Sequence, residues 1–530
     1  MVVKSVGNDV EATVSEVKEE ISHDHLFKVT GLSSTNLEKL AQEPNAADFE
    51  EAMAATGYGK FNIVLMLCSL PGFWSACSVT SAISYIFTRA QCDMKLSLID
   101  MGTVSAMTYG GMISSAMLWG FLSDTLGRRQ IMVWGFLGAG LVEILAALSQ
   151  NFAMLLVLRY ISGFLFNGPF AVLISYIAEL HRTELRARVI LLTSLFYTIA
   201  NITLPLLAWA FLTHDWDFHL FNDVIVIHSW NLFLLATGLM PILTGLAFIS
   251  LPESPKFLMS RARNEEAMAV FQKIFSANTG KPAYEYPIKA LVVEKNEQQG
   301  RGVAALRGGG AQLKPLFTLP HVKWLLLICT IHSGCMFGSN TLRLWYPQLA
   351  AMLGSSDGLC SAIAPTLAPE LETTCVPIKT DMLTYLQSVA VGAGSVLTYG
   401  IGGVIVNRCG KKLVSGFCTL SSAMIIIMMP FLGNSSEAVM AMMTTTLALT
   451  SLSAASLSSI CVDLFPTSLR VMALATFLMS GRIGTITGTV AFPALISYGC
   501  YPPFIAITSV LSICGVACFI IPNTTLKKLE

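Results

Sequence analysis

The sequence predicts an all-α membrane protein in which twelve transmembrane helices form two pseudo-symmetric bundles of six. Three observations support this fold class: a strongly apolar composition, apolar segments of membrane-spanning length along the whole chain, and two loop motifs that recur at nearly one spacing. Of the 530 residues, 54% are hydrophobic and 12% are charged, whereas soluble domains carry about 25% charged residues. The composition therefore argues against a water-soluble fold.

The chain lacks the marks of an enzyme, a nucleic-acid-binding protein or a metalloprotein. Its formal net charge is zero, so no overall basic field favours nucleic acid. The thirteen cysteines include no Cys-x-x-Cys pair, and most lie in apolar runs, where cysteine behaves as a small hydrophobic residue. We therefore expect no metal and no cofactor. The sequence has no Gly-x-x-x-x-Gly-Lys-Ser/Thr loop, which argues against nucleotide hydrolysis.

Twelve segments are long and apolar enough to cross a bilayer. The apolar membrane core is roughly 30 Å thick and needs about 20 helical residues. The predicted spans are residues 61–87, 99–121, 131–149, 153–176, 189–212, 230–251, 322–348, 381–406, 413–432, 437–461, 471–497 and 502–521.

The basic residues between the spans predict the topology. Short cytosolic loops are rich in Lys and Arg, and these residues concentrate in alternate loops. One side carries Arg128, Arg129, Arg182, Arg186, Arg188, the Lys and Arg residues of 252–320, Arg408, Lys411, Lys412, Arg470, Lys527 and Lys528. The other side carries Arg89, Lys95 and Lys379. Both termini are therefore expected to be cytosolic.

The spans and their loops suggest five regions. These are a cytosolic tail (1–57), a first six-helix bundle (58–251), a cytosolic central loop (252–320), a second bundle (321–521) with a non-cytosolic loop at 350–380, and a cytosolic tail (522–530). The first tail is predicted to be flexible, with one short helix near residues 33–42. The central loop is predicted to contain an amphipathic helix over 264–275 and a flexible glycine-rich piece over 300–310.

Two motifs repeat between the halves. The loop after the second span reads Gly120-Phe-Leu-Ser-Asp-Thr-Leu-Gly-Arg-Arg129, and the loop after the eighth reads Gly403-Val-Ile-Val-Asn-Arg-Cys-Gly-Lys-Lys412, at an offset of 283. The end of the fourth span, Glu179 to Arg186, matches the end of the tenth, Asp463 to Arg470, at an offset of 284. Such spacing predicts two halves in parallel register about an axis normal to the membrane.

Several of these motifs resemble those of a known superfamily. The Asp124-Thr-Leu-Gly-Arg-Arg129 loop resembles the major facilitator signature between its second and third helices, and Arg159 with Gly163 resembles a second signature. Leu251-Pro-Glu-Ser-Pro-Lys-Phe-Leu258 is similar to a motif of the sugar and organic-ion branches. The stretches Gly57 to Phe61, Leu118 to Asp124, Gly168 to Leu173, Arg263 to Ala267 and Asn278 to Lys281 resemble insect relatives of synaptic vesicle glycoprotein 2.

The resemblance implies a gate on the cytosolic side. In the family, Asp124 would bridge to the other half and hold an outward-facing state. The candidate gate residues are Asp124, Gly127, Arg128, Arg129, Glu179, Arg186, Asp463 and Arg470. We expect Glu179 with Arg186, and Asp463 with Arg470, to belong to this network. Alternatively, Arg128 and Arg129 could be present only because short cytosolic loops are rich in basic residues.

Polar residues inside the spans are candidates for the walls of a solute cavity. Arg482, Thr485 and Thr489 share one face of the eleventh span, where Arg482 could bind an anionic group or form a structural salt bridge. Tyr197 and Asn201 share a face of the fifth span. His332, Ser339 and Arg343 form a stripe along the seventh. Hydrogen bonding between helices is the alternative role for these residues.

Two further charged residues lie within spans, and the first span contains none. Arg159 and Glu143 each interrupt an apolar run, so each is expected to face a partner or the bundle interior. Glu143 could be a pairing or a proton-linked site. By the resemblance, Val79 and Ala76 occupy positions in the first span where relatives often carry an acidic residue. Coupling to protons or cations through that span is therefore not expected.

The non-cytosolic loop contains Cys360 and Cys375. Since that side is oxidising in the secretory pathway, these two residues are a disulfide candidate.

The leading functional hypothesis is a monomeric secondary transporter that moves a small organic solute through the lipid bilayer by alternating access, in an intracellular vesicle membrane or the plasma membrane. A non-transporting receptor or vesicle-trafficking partner with the same fold is the alternative, and a channel is a third possibility. The sequence leaves the solute open among sugars, organic cations, organic anions, amino-acid derivatives and pigment precursors.

Overall fold

Twelve helices of at least 18 residues make up most of the described chain. The computed structural model describes residues 46–220, 225–292, 314–319, 321–353, 358–363 and 382–522. The first six long helices are α2 (Lys60–Asp93), α3 (Leu98–Leu126), α4 (Arg128–Ala147), α5 (Phe152–Glu179), α6 (Thr183–Leu212) and α7 (Ser229–Ile249). The second six are α10 (His321–Leu353), α12 (Met382–Cys409), α13 (Lys411–Leu432), α14 (Ser436–Leu464), α15 (Thr467–Ile496) and α16 (Tyr501–Cys518).

The membrane-protein class predicted from the sequence is confirmed. Within the described residues, nine of these helices contain a stretch long and apolar enough to cross a membrane. The other three are α3, α12 and α15. Each of the three contacts the opposite half, as α3 packs on α15 and α12 packs on α6. Small and polar residues suit such helix interfaces because they let two backbones approach closely.

Within each half, the helices pack in matching pairs. In the first half α3 and α4 both pack on α5, and in the second half α13 and α12 both pack on α14. Between the halves, α2 contacts α10 in addition to the two pairs above. Glycine permits one of these contacts, since a Cβ atom at Gly102 would lie 2.5 Å from the carbonyl oxygen of Thr489.

Among the described residues, buried apolar side chains of the two halves share a cluster at one end only. We call the end that carries the turns at Gly127 and Gly410 the basic face, and the other end the opposite face. One hydrophobic cluster at the opposite face contains residues of both halves, including Phe87, Trp345 and Phe492. Toward the basic face, the first and second halves have separate clusters. Among the described side chains, the two halves therefore pack together at the opposite face and form separate clusters at the basic face.

A small helical layer covers the first half at the basic face. It consists of α1 (Phe49–Ala55), α8 (Pro255–Ser260), α9 (Asn264–Thr279) and a 3₁₀ turn at Ala283–Glu285. The Tyr286 hydroxyl donates to the Ala52 carbonyl at 2.6 Å, and its ring stacks on Phe271. The amphipathic helix predicted over 264–275 is present and extends by about one turn.

The helix α1 corrects the prediction of a flexible tail up to residue 57. The Asp48 side chain caps α1 by accepting from the Glu51 N–H at 2.7 Å, while Phe49, Ala52 and Met53 are buried. Ala47 also forms a bridge with Leu291. Seven residues form a stable helix here because their apolar side chains pack against the central segment, a long-range contact that local sequence patterns do not reveal.

Three short elements complete the structure. Strands β1 (Asp217–Leu220) and β2 (Ile225–His228) form an antiparallel hairpin at the opposite face, which the sequence analysis did not predict. Helix α11 (Leu359–Ile363) lies on the same face, and a 3₁₀ turn at Lys314–Phe317 precedes α10. The helix predicted near 33–42, the glycine-rich piece over 300–310 and the tail over 523–530 lie outside the described residues.

Candidate functional site: a cavity between the two halves

A cavity lies between the halves, near the middle of the long helices. It has two adjoining parts of about 220 and 330 Å³, which share Tyr197, Asn340 and Arg343 in their walls. The first half contributes polar side chains from α2, α3, α5 and α6, including Thr80, Tyr109, Asn167, Tyr197 and Asn201. The second half contributes Ser339, Asn340, Arg343, Ser388, Ser451 and Arg482. The walls thus combine hydrogen-bonding groups from both halves.

Arg343 crosses from the second half to the first. Its Nη2 atom donates to Asn201 Oδ1, and its guanidinium carbon lies 5.6 Å from the centre of the Tyr197 ring. Asn201 is held in turn by donating to the Tyr197 carbonyl at 3.1 Å. The structure therefore brings the predicted residues Tyr197, Asn201 and Arg343 together in one wall of the cavity.

Arg482 lies in another part of the wall. Its Nη1 atom is 3.5 Å from the Met112 carbonyl on α3, which is the long end of the range for a hydrogen bond. The neighbouring Thr485 is buried and accepts from Asn340 Nδ2 at 2.8 Å. Thr489 is also buried and donates to the Thr485 carbonyl. Of the predicted stripe on α15, Arg482 lines the cavity, whereas the two threonines pack against helix surfaces.

His332 lies behind the cavity rather than in its wall. It is 5% exposed, and its ring stacks on Phe477 with 3.8 Å between ring centres. Ser339, about two helical turns nearer the opposite face, lines the cavity with Arg343. The predicted stripe on α10 therefore divides into a packing residue and two cavity residues.

Glu143 and Arg159 pair with each other inside the first half. Their side chains are 2.8 Å apart and both are buried, and neither residue lines the cavity. The bundle interior thus supplies the partner that each charge was expected to need.

At the basic face, Glu253 caps the start of α4. Its carboxylate accepts from the backbone N–H groups of Arg128 and Arg129 at 2.9 and 3.1 Å. Burial raises the pKa of Glu253, although these hydrogen bonds favour its ionised form. Gly127 has a φ of +99°, and a Cβ atom there would lie 2.5 Å from Glu253 Oε2. Glu253 was not among the predicted site residues, although it lies in the quoted Leu251 to Leu258 motif.

Four of the described gate candidates form ion pairs within one half, namely Arg128, Glu179, Arg186 and Asp463. Arg128 lies 3.7 Å from Glu179. Arg186 pairs with Glu50 at 2.9 Å instead of with Glu179. In the second half, Asp463 accepts from Lys411 rather than from Arg470. The side chain of Asp124 lies outside the described part of the structure. No described ion pair links the halves at this face, in agreement with their separate hydrophobic clusters.

The disulfide prediction was wrong for Cys360. This residue of α11 is bonded to Cys500 at the start of α16, with 5.3 Å between their Cα atoms. Helix α11 folds back against the turn before α14, where the Leu359 N–H donates to the Gly433 carbonyl at 3.0 Å. Membership of one loop is therefore a poor guide to pairing, because α11 packs on a distant turn. Cys92 is also disulfide-bonded, and Cys375 lies outside the described residues.

Comparison with known proteins gives a family and a fold. The model of the family described as "Sugar (and other) transporter" matches residues 71–530. Synaptic vesicle glycoprotein 2A of Rattus norvegicus is 24% identical over 336 residues, which cover 60% of this chain and 45% of that protein. Synaptic vesicle glycoprotein 2C of Mus musculus is 25% identical over 336 residues, covering 60% and 46%. The matched region thus spans less than half the length of these relatives.

Solved structures share the architecture at low sequence identity. The partially occluded, inward-open xylose transporter XylE from E. coli has a TM-score of 0.62 and 15% identity, covering 88% of this chain and 100% of XylE. The nucleoside transporter NupG has a TM-score of 0.59 and 12% identity, covering 87% and 99%. These similarities establish the major facilitator fold.

Proposed function

Because this chain belongs to the family of sugar and other transporters, we propose that it is a secondary transporter of a small organic solute. The observation that carries the proposal is the central cavity, whose walls take polar groups from both halves. A site at the interface of two repeats can be exposed to either side when the halves rock against each other. The cavity volume suits a small molecule.

In the proposed transport cycle, the described conformation is the state in which the opposite face is closed. Phe87 of α2 and Trp345 of α10 have ring centres 6.5 Å apart at the opposite face, and Gln348 Nε2 donates to Gln91 Oε1 at 3.4 Å. These contacts would separate as the basic face closed. Since basic loops remain cytosolic, we assign the basic face to the cytosol and the described state to the inward-facing conformation.

We do not propose that the first long helix couples transport to protons or cations. Val79 and Ala76 carry no ionisable group, and the Val79 carbonyl already accepts from Arg159. No carboxylate occurs among the described residues that line the cavity. We therefore propose either facilitated movement or coupling through another group. We also propose residence in a vesicle membrane or the plasma membrane.

Uptake into liposomes tests the proposal directly. The purified protein is reconstituted and offered labelled glucose, a nucleoside, choline, an amino acid and succinate, with and without a pH gradient. Saturable uptake of one solute class supports transport. If correctly folded protein takes up none of them, the non-transporting receptor or trafficking partner becomes the better reading.

A crosslink tests whether the halves must separate. In Gln91→Cys/Gln348→Cys, a short bifunctional maleimide should join α2 to α10 at the opposite face and abolish uptake. The matched control is Gln387→Cys/Ser436→Cys, because these side chains are 2.5 Å apart in the wild-type structure and both belong to the second half. Crosslinking the control pair should leave uptake unchanged. Full uptake by the crosslinked Gln91/Gln348 variant would contradict alternating access.

A further inference from the structure

Among the described residues, two arginines and no carboxylate line the central cavity. Arg343 and Arg482 both contribute to the wall of its 220 Å³ part. Neither forms an ion pair with a described acidic residue, although six ion pairs between Arg or Lys and a carboxylate occur elsewhere in the described chain. Guanidinium groups stay charged in proteins. This part of the cavity therefore carries two positive charges that the described protein does not neutralise.

The described side-chain and backbone contacts of the two arginines are all to uncharged groups. A guanidinium group has five N–H donors. Arg343 contacts three uncharged groups: the Asn201 amide, the Tyr197 side chain and the Cys77 thiol. Arg482 has one long contact to a carbonyl, at 3.5 Å. These contacts orient the two guanidinium groups without cancelling their charge.

Charged groups at membrane depth usually pair or face a functional cavity. The pair of Arg159 and Glu143 shows the first solution within this chain. Arg343 and Arg482 show the second, because both face the cavity and lie on different helices of the same half, α10 and α15. A cationic solute would be repelled there, and a neutral solute would leave both charges without a counter-ion.

The remaining walls suit a molecule with an apolar body. Met112, Phe166 and Phe170 line the same part of the cavity as the two arginines. Asn167 and Asn340 add neutral hydrogen-bonding groups. The site thus combines two anion-binding points with aromatic and aliphatic surface.

We infer that the solute is a small organic dianion, with its negative charges bound by Arg343 and Arg482. This inference rests on the proposed function only in using the same cavity, since binding can be measured without transport. Two carboxylates on one carbon skeleton and a single phosphomonoester share this chemistry. Arginine binds both groups well because its planar donors match their oxygens.

A series of isosteric ligands tests the charge requirement. The purified full-length protein is mixed with succinate, succinamate or succinamide, which have the same number of heavy atoms and two, one or no negative charges. The same series is made for adipate, and phenyl phosphate tests a dianion with one acidic group. Binding is measured by ligand-induced thermal stabilisation and by titration. The expected affinity order is dianion, then monoanion, then diamide.

Substitutions assign the charges to the two residues. Each of Arg343→Gln and Arg482→Gln should weaken dianion binding by about tenfold or more, from the usual strength of a charge-assisted hydrogen bond. Arg343→Lys and Arg482→Lys should retain part of the affinity, and they keep the test valid if a glutamine variant does not fold. Arg263→Gln is the matched control, because this exposed arginine pairs with Glu266 far from the cavity. It should bind as wild type does.

The outcomes separate this inference from the proposed function. Dianion binding that requires both arginines supports the inference even if liposomes show no uptake, in which case the transport proposal fails alone. Saturable uptake of glucose or choline without dianion binding overturns the inference and leaves transport standing. Equal binding of succinate and succinamide, or unchanged dianion binding in both glutamine variants, also overturns it. Preference for phenyl phosphate over both dicarboxylates would identify the phosphomonoester as the ligand chemistry.

Discussion

Arg159 of α5 and Glu143 of α4 form a buried ion pair in which one guanidinium nitrogen reaches both carboxylate oxygens. Arg159 Nη1 lies 2.9 Å from Glu143 Oε1 and 2.8 Å from Oε2. The other terminal nitrogen donates to the Val79 carbonyl on α2, and Ser162 donates to the Glu143 carboxylate. The pair thus connects three helices of the first half through groups that water does not reach.

Glu143→Gln should destabilise the protein by about 3–5 kcal/mol, because it leaves an uncompensated cation in the interior. Arg159→Gln should cost less, since a carboxyl group can take up a proton while a guanidinium cannot release one. Thermal unfolding in detergent measures both variants. The double variant Glu143→Gln/Arg159→Gln should be more stable than Glu143→Gln alone. Additive losses in the double variant would show that the two charges are not coupled.

Gly163→Ala should separate α5 from α3. A Cβ atom at Gly163 would lie 1.9 Å from the Thr108 carbonyl oxygen, so the backbones must move apart. We expect a loss of about 1–3 kcal/mol, as for other overpacked interiors. Gly138→Ala on α4 is the matched control, because its nearest atom, Leu165 Cδ1, is 3.7 Å away. Thermal unfolding of the control should resemble wild type; equal losses in both variants would rule out the close contact as the cause.

Loss of the Cys360–Cys500 disulfide should free one thiol and lower stability. Cys360→Ser is expected to make Cys500 reactive toward maleimide and to cost about 2–4 kcal/mol, the usual contribution of a disulfide. Peptide mapping by mass spectrometry without reductant detects the pairing. In Cys375→Ser, Cys500 should stay unreactive. A reactive Cys360 in the Cys375→Ser variant would instead support the pairing predicted from the loop sequence.

The attachment of α1 should weaken in acid through Glu50. Burial opposes ionisation of this carboxyl, but hydrogen bonds from Thr183 and Arg186 outweigh it and hold its pKa below the usual value. A lowered acid pKa contributes stability that is present above the ordinary value of 4.5 and is lost as pH falls through the folded-state value. Amide exchange of residues 49–55, corrected for intrinsic pH dependence, should therefore accelerate below about pH 4.5.

Glu50→Gln should show this faster exchange already at pH 7, with less change on acidification. Glu51→Gln is the matched control, since Glu51 is the neighbouring exposed carboxylate and forms no ion pair with a described residue. It should follow the wild-type profile. The same pH profile in Glu50→Gln and wild type would show that Glu50 is not the responsible group.

The sequence alone determined the class, the number of long helices and much of the cavity. Each predicted span differs from a long helix by a few residues at its ends. The agreement is close because the thickness of the bilayer sets the length of each apolar segment, and length and composition are local properties of the sequence. Tyr197, Asn201, Arg343 and Arg482 were identified from polar residues at helical spacing within apolar runs. Such residues can be recognised in a single sequence because burying a polar or charged group in a membrane is costly, so these groups are rare within spans.

Only the tertiary structure decided which of these groups meet. The sequence predicted that Glu143 and Arg159 each need a partner, but not that they pair with each other. It also predicted that Thr485 and His332 line the cavity, whereas both pack behind it. The predicted disulfide partner of Cys360 was wrong. The sequence placed Arg186 with the nearby Glu179, whereas the structure pairs Arg186 with Glu50, 136 residues away. Local patterns fix which face of a helix is polar. The partner of that face depends on how distant helices pack, and hence on the folded arrangement of both halves.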